Sequence, residues 1–347
     1  MKNIIIKGDN IEGLKYLLST RNLKGKIDLV YIDPPFATNG NFTITDGRAS
    51  TISNSRNGDI AYSDKLIGED FIEFLRQRLL LIKELLTDKG SIYLHIDYKI
   101  GHYVKVMMDE VFGIENFRND ITRIKCNPKN FNRIGYGNIK DLILFYTKSQ
   151  EPIWNEPREK YSEDDLKKLF PKIEKGRRYT TVPIHAPGET ENGKSNQPFK
   201  GMLPPKGRHW RTDVETLEQW DKEGLIEWSK TGNPRKIIFA DEREGKRVQD
   251  IWEFKDPQYP TYPTEKNSDM LDLIIKTSSN RKSIVLDCFC GSGTTLKSAH
   301  LLGRKWIGID KSEHAIKATI KKIETLKGDL FTPKPEYELI DISDINT

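Results

Sequence analysis

The sequence predicts an α/β fold: a doubly wound parallel sheet, split in sequence by an irregular basic insertion. Three observations lead to this. Wholly apolar, β-branched runs recur at Ile4–Ile6, in IDLVYI, in SIYLHI and in SIVLD, and strands without alternation are those buried on both faces. Segments of helical spacing lie between those runs, as βαβ units require. Over residues 150–260 the alternation stops, and Pro, Gly, Lys, Arg and Trp cluster instead.

Taken in order, Ile4–Ile6 is a first strand ending at Gly8-Asp9, and Ile11, Leu14, Tyr16, Leu17 and Leu18 continue it as a helix. Ile27–Ile32 is a second strand, stopped by Pro34 and Pro35. Residues 37–64 are polar and read as a long loop, of the length that closes over substrates or ranges over a surface. A strong helix follows over Glu69–Thr87, with Gly90 as its stop. Ser91–Ile96 is a strand, Ile100–Val111 a helix, and Ile121–Lys125 and Asp141–Thr147 are further strands. Regular alternation returns at Leu271–Lys276, Ser283–Leu286 and Lys305–Ile309, and SEHAIKATIKKIETL is the last helix before a short tail. The expected organisation is residues 1–149 as one half of an α/β domain, 150–260 as the insertion and 261–347 as the other half.

Composition narrows the setting. Hydrophobic residues make up 36% and charged residues 31%, which is the balance of a folded globular chain rather than a disordered one. No apolar run reaches the ~18 residues of a membrane span, and the N-terminal segment lacks the apolar core of a signal peptide. Three cysteines fit a reducing, cytoplasmic compartment better than a disulfide framework. The net charge of +5 permits a polyanionic partner without requiring one.

Two motifs carry chemistry. Asp33-Pro34-Pro35-Phe36 ends a buried parallel strand, where ligands bind in open α/β sheets. An exocyclic base amine is a poor nucleophile because its lone pair is delocalised into the ring. The Asp33 carboxylate and the Pro34 carbonyl, each accepting one amine hydrogen, turn that lone pair outward. Pro35 stiffens the turn and offers no competing N–H. Phe36 provides a face on which an extruded base stacks. As bare sequence, the tetrapeptide also reads as a turn after a strand.

The second motif, SIVLDCFCGSGTT, is a strand running through a glycine turn into a helix that starts near Thr294. Gly291 and Gly293 suit positive φ, and the helix start favours an anionic group. WIGID then ends in Asp310, placed to accept from ribose hydroxyls. A dinucleotide fingerprint needs a third glycine where Leu296 stands, which disfavours a nicotinamide enzyme. Cys288 and Cys290 lack metal-ligand spacing and a nearby histidine, so no metal site is expected. None of the cysteines follows a proline, as a cytosine-C5 nucleophile would.

With both motifs in hand, the chain resembles the amino-methyltransferases of DNA, in the arrangement where the catalytic motif precedes the cofactor motif. DPPF matches their catalytic signature, and DCFCGSGTT their cofactor loop, D-x-F-x-G-S-G-T, with Cys290 where a small residue is common. The stretches around SIYLHIDY and DLILFYTKS resemble the intervening strands. TYPTEKN resembles the family's H-P-T-Q-K-P, with Tyr262, Glu265 and Asn267 as departures and Thr264 and Lys266 kept. Asp, rather than Ser, at the head of the tetrapeptide is similar to the adenine-N6 members, and cytosine-N4 enzymes more often read SPPY.

The resemblance implies a circularly permuted, seven-stranded, Rossmann-like methyltransferase sheet with S-adenosyl-L-methionine as methyl donor. It implies duplex DNA as substrate, with base flipping and direct transfer to adenine N6. It places the cofactor against Asp9, Thr264, Lys266, Asp287, Phe289, Gly291, Gly293, Thr294 and Asp310. For Asp9, N-capping of the first helix stands as an equal reading. Site-specific adenine methyltransferases and type III Mod subunits are the comparable proteins. A restriction subunit or a second copy of the chain are therefore partners to expect, in a prokaryotic, nucleoid-associated setting.

The same resemblance makes the insertion the target-recognition region. Lys206, Arg208, Trp210 and Arg211, in PPKGRHWR, are the residues expected against DNA, together with the basic stretch 123–133. Core packing is an alternative role for each insertion tryptophan.

Overall fold

In the computed structural model, residues 1–35, 69–128, 134–188, 193–257, 265–328 and 333–342 are described, together with the backbone of 41–45, 48–51 and 59–63. Phe36 and Thr264 therefore lie outside the described residues.

In chain order, the first part comprises β1 (Asn3–Lys7), α1 (Asn10–Ser19), β2 (Ile27–Ile32), β3 (Asn41–Thr45), β4 (Arg48–Thr51), β5 (Asp59–Ser63), α2 (Glu69–Leu85), β6 (Leu86–Ile96), α3 (Gly101–Phe112), β7 (Phe117–Ile124) and β8 (Lys140–Thr147). There follow β9 (Arg158–Glu159), α4 (Glu163–Leu169), β10 (Lys172–Glu174), β11 (Arg177–Pro183), β12 (His185–Pro187), β13 (Arg208–Trp210), α5 (Val214–Lys222), β14 (Ile226–Trp228), β15 (Pro234–Phe239) and β16 (Lys246–Arg247). The chain closes with β17 (Ile251–Trp252), α6 (Ser268–Ser278), β18 (Ile284–Asp287), α7 (Thr294–Leu301), β19 (Lys305–Asp310), α8 (Glu313–Glu324) and β20 (Tyr337–Asp341).

Two compact units result: Met1–Pro157 with Gln249–Thr347, and Arg158–Val248. In the first, a nine-stranded sheet has the order β17-β7-β8-β6-β2-β18-β19-β1-β20. Neighbours are parallel throughout except at β8, which runs antiparallel to both β6 and β7. The two halves of the sequence thus meet where β2 pairs with β18, and β1, from the N-terminus, lies beside β19. To the expected seven strands, the structure adds an edge strand on each side, β17 and β20. The tail after the last helix is long enough to reach back along β1 and cover its edge.

Burial follows the strand period of two. Ile4, Ile6, Val30, Ile32, Ile92, Leu94, Leu286, Ile307 and Ile309 share one core with Leu14 and Leu17 of α1, Leu79 and Ile82 of α2 and Met108 of α3. The alternate residues face the other side, where Tyr93 Oη lies 2.8 Å from Ser278 Oγ of α6. Helices on both faces explain why these strands are apolar throughout.

Two local readings are corrected. Gly90 does not end a helix: α2 stops at Leu85, and Gly90 sits in a bulge of β6, between the pairs Ile27↔Leu86 and Leu29↔Ser91. The segment 37–64 is not all loop, since β3 pairs antiparallel with β4 and β5. The β-branched residues of NFTIT and DIAYS suit strands despite their polar surroundings.

The second unit is built on the antiparallel sheet β10-β11-β15-β14. Its small core gathers Ile184, Phe199, Trp210, Val214 and Leu217. Residues 150–157 belong to the first unit. There Trp154 stacks on Phe145 at 5.9 Å between ring centroids, and Asn155 donates its backbone N–H to Thr277 at 2.8 Å.

Candidate active site

Four neighbouring strands, β2, β18, β19 and β1 in that order, run parallel and each leads into an aspartate at its C-terminal end. These are Asp33, Asp287, Asp310 and Asp9, brought onto one rim of the sheet from both ends of the sequence. A buried parallel strand delivers its last residue at the rim with little freedom, so topology alone groups these carboxylates.

Asp33 lies one residue beyond β2, with Pro34 buried beside it. Its Oδ2 is 2.9 Å from Lys266 Nζ, and both side chains are largely buried. Its other oxygen, Oδ1, is buried and has no hydrogen-bond partner among the described residues. Buried acceptors are rarely left unmet, and where one is, a functional reason is to be sought. Lys266, expected at the cofactor, is thus placed against Asp33 of the DPPF tetrapeptide.

The glycine turn after β18 has the expected geometry. Gly291 and Gly293 sit at φ +50° and +74°, and α7 begins at Thr294, as its sequence suggests. At Gly293 a Cβ would also come within 2.8 Å of the Thr319 side chain, so glycine is required both for conformation and for space. The Gly291 N–H donates to Asp310 Oδ2 at 2.9 Å, and that of Ser312 to Oδ1 at 2.8 Å. The turn is thereby tied to the end of β19. Burial raises the Asp310 carboxyl above the ordinary range, against the pull of these N–H groups.

Asp287 accepts from the Phe289 N–H at 3.0 Å. Burial, aided by the charges of Asp33 and Asp310 and opposed by hydrogen bonding, pushes its carboxyl up to about 7. The Phe289 ring packs near Phe74 of α2, at 6.2 Å between centroids.

Asp9 caps α1, accepting from the Ile11 N–H at 3.0 Å, and also takes a bond of 3.0 Å from Arg78 of α2. Arg78 lies over the Phe74 ring, 3.4 Å from its centroid, and bonds Asn10, whose amide reaches the Cys288 carbonyl at 3.0 Å. These contacts lock β1 and β18 together at the rim. Both Cys288 and Cys290 are buried, and burial raises their thiols, so neither is a poised nucleophile.

Three features escaped sequence reasoning. Lys322 of α8 reaches Glu265 and donates to Ser292 Oγ at 3.0 Å and Thr294 Oγ1 at 2.9 Å, bracing the glycine turn. Arg78, which reads in the sequence only as a helix residue, bonds Asp9 and Asn10. A buried polar chain also leaves the rim: Tyr31 Oη is 2.9 Å from His95 Nδ1, and His95 Nε2 is 3.2 Å from Asp141 Oδ2. Asp141 further takes a 2.6 Å bond from Lys125. Burial, and then the Lys266 charge, lower the proton affinity of His95. Burial alone would raise the Asp141 carboxyl, but its bonds to His95 and Lys125 hold it well below the usual range. The available signal was the histidine at an inward position of a wholly buried strand, which needs partners.

The basic residues expected at DNA divide. Lys206, Arg208 and Arg211 are exposed, with Arg208 bonded to His185 at 3.1 Å. Trp210, by contrast, is fully buried in the second unit's core and donates its indole N–H to the Gln197 carbonyl at 2.9 Å, so it cannot stack on a base. The reason is its inward position on β13, at the end that pairs with His185. Arg123 is likewise fully buried, bonded to Asp256 and the Phe254 carbonyl. Among the described residues, no helix is long and apolar enough to cross a membrane, and no cluster of ligands fits a metal ion.

Against known proteins, the sequence pattern of the DNA methylase family, the N6/N4 methyltransferases, matches residues 27–322. The chain is 41% identical to the Type II methyltransferase M.EcaI of Enterobacter cloacae, across 93% of this chain and 69% of that protein. It is 25% identical to the StyLTI Mod subunit of a type III restriction-modification enzyme from Salmonella typhimurium, across 87% of this chain. It spans only 50% of that subunit's length. Among solved structures, the M1.HpyAVI–SAM complex is similar in fold, with a TM-score of 0.50 and 17% identity over 93% of this chain and 99% of that one. The DPPF tetrapeptide and the glycine turn stand on one rim, in this order along the sequence, and the chain belongs to the DNA methylase family of N6/N4 methyltransferases.

Proposed function

We propose that this chain is a site-specific methyltransferase that transfers a methyl group from S-adenosyl-L-methionine to the N6 amine of adenine in duplex DNA. One observation carries the reading: a buried aspartate oxygen, Asp33 Oδ1, at the end of β2, that lacks a donor among the described residues. An exocyclic amine is the donor such an acceptor needs. Asp33 Oδ1 and the Pro34 carbonyl each take one amine hydrogen, so the nitrogen lone pair turns out of the ring plane. Phe36 follows at once in the chain and is the residue for stacking the flipped base.

The residues of the second motif fit the cofactor. The turn at Gly291 and Gly293 brings backbone close, and α7 turns its free N–H groups toward an anionic group such as a methionine carboxylate. Asp310 keeps lone pairs for ribose hydroxyls beyond the two it shares with backbone N–H groups. Asp9, Asp287, Phe289 and Thr294 complete the set, with Thr264. When bound, the cofactor supplies a methyl group on a sulfonium, which leaves as a neutral thioether while the amine gives up one proton.

Lys206, Arg208 and Arg211 are the surface residues proposed to hold the DNA backbone. A restriction subunit is a further proposed partner, since the StyLTI relative is the Mod subunit of such an enzyme. The test uses purified protein, unmethylated duplex DNA and methyl-labelled cofactor, followed by digestion and separation of nucleosides, with Asp33→Ala in parallel. Label in N6-methyladenine that the variant loses is the expected result. Label in N4-methylcytosine overturns the base assignment and leaves the site intact. No label on DNA of varied sequence, with the cofactor bound, overturns the reading.

A further inference from the structure

Two consecutive residues before α6 point in different directions. Glu265 meets Lys322, which in turn holds the hydroxyls of Ser292 and Thr294 in the glycine turn. Lys266 meets Asp33. The segment therefore touches the cofactor turn through one side chain and the catalytic tetrapeptide through the next. Asn267 anchors it from behind: it caps α6 by accepting from the Asp269 and Met270 N–H groups, and its amide donates to the Lys255 carbonyl at 2.9 Å.

We infer that Lys266 is a positioning residue for the transfer, setting the rotation of the Asp33 carboxylate, rather than a contact of the cofactor. This rests on the methyltransferase reading above. A carboxylate at a strand end turns about its last side-chain bond unless one oxygen is held. The Lys266 ammonium holds Oδ2 at 2.9 Å, and the rotation that results leaves Oδ1 as the open acceptor. The lysine is itself 12% exposed, so its charge is applied at short range with little screening. A lysine braced through its neighbour to the glycine turn applies that hold from a fixed point. The turn and the acceptor are thereby set relative to one another by a single dipeptide.

The experiment compares Lys266→Met, which keeps the side chain's bulk, with Lys266→Arg and Lys266→Gln. Cofactor affinity is read by calorimetry and single-turnover transfer by label. For Lys266→Met the expected result is a transfer rate down about tenfold to a hundredfold, the cost of a misplaced reacting group, with cofactor Kd changed by less than about threefold. Lys266→Arg recovers most of the rate, and Lys266→Gln does not. A cofactor Kd weakened about tenfold with the rate at saturation retained overturns the inference and returns Lys266 to the cofactor.

Thermal unfolding provides a readout that does not depend on activity, in a cycle of Asp33→Asn, Lys266→Met and the double variant. The pair predicts a double variant whose Tm loss is clearly smaller than the sum of the single losses. Additive losses overturn the inference, even if the wild-type chain methylates nothing. A wild-type chain without transfer but with strong coupling in the cycle overturns the function instead.

Discussion

Asp33 and Asp287 stand at the ends of adjacent parallel strands, β2 and β18, yet the fold treats them in opposite ways. Asp33 has a lysine on one oxygen and, among the described residues, no donor on the other. Asp287 is held by a backbone N–H, and burial pushes its carboxyl up to about 7. Residue type and place in the topology are the same, so neither decides the role. What differs is which neighbour reaches in from a distant part of the chain. Lys266, brought by the segment before α6, makes one aspartate an oriented acceptor. The other is held by the backbone where the strand enters the glycine turn.

The largest expected effect tests that difference directly. Asp33→Asn keeps the shape but replaces one acceptor with a donor, and should lower the transfer rate about 10²- to 10³-fold, as loss of a charge-stabilising group does. Asp287→Asn should cost the transfer rate clearly less at saturating cofactor. Equal losses in single-turnover assays would erase the distinction between the two carboxylates.

A second prediction concerns pH. The Asp287 carboxyl is raised from about 3.9 in the unfolded chain to about 7 in the folded one. Its contribution to stability is therefore complete below about 3.9 and is lost as pH rises through about 7. Without cofactor, the Tm of the wild-type chain should fall relative to Asp287→Asn between those values, then run parallel to it at higher pH. The opposite slope is expected of His95 and Asp141, whose lowered values cost stability as pH falls, so the difference between variant and wild type is the quantity to follow. A difference that does not vary with pH would mean that Asp287 does not carry the burden assigned to it.

The smallest effect sharpens the role of the brace. Gly293→Ala places a Cβ at positive φ and against Thr319, for a cost of about 1–3 kcal/mol that thermal unfolding would register. Adding Thr319→Ser removes the methyl of that contact and should restore part of the loss, the backbone share and the equally close hydroxyl remaining. Full restoration would show that space, rather than conformation, is what demands glycine there.

Most of the sheet was legible before the structure, because buried parallel strands announce themselves as uninterrupted apolar runs and the helices between them keep a 3.6-residue period. Ile27–Ile32 is read to the residue, as is the start of α7. The aspartates at strand ends and the positive-φ glycines were legible for the same reason: their work is local to the turn in which they sit. Edge strands β17 and β20 were not, β17 because two residues show no period and β20 because an edge strand of mixed, partly covered sequence lacks the apolar run. Nor was the burial of Trp210 and Arg123, since a basic stretch reads alike whether its arginine meets solvent or an internal carboxylate such as Asp256. By itself, then, the sequence determined most strands of the large sheet, the turns that end them and the placing of both motifs at strand ends. Only the tertiary structure decided that Lys266 serves Asp33, that Lys322 serves the glycine turn and that His95 closes a buried chain to Asp141, because each is a meeting of side chains far apart in sequence, and no local pattern encodes which partner a buried charge will find.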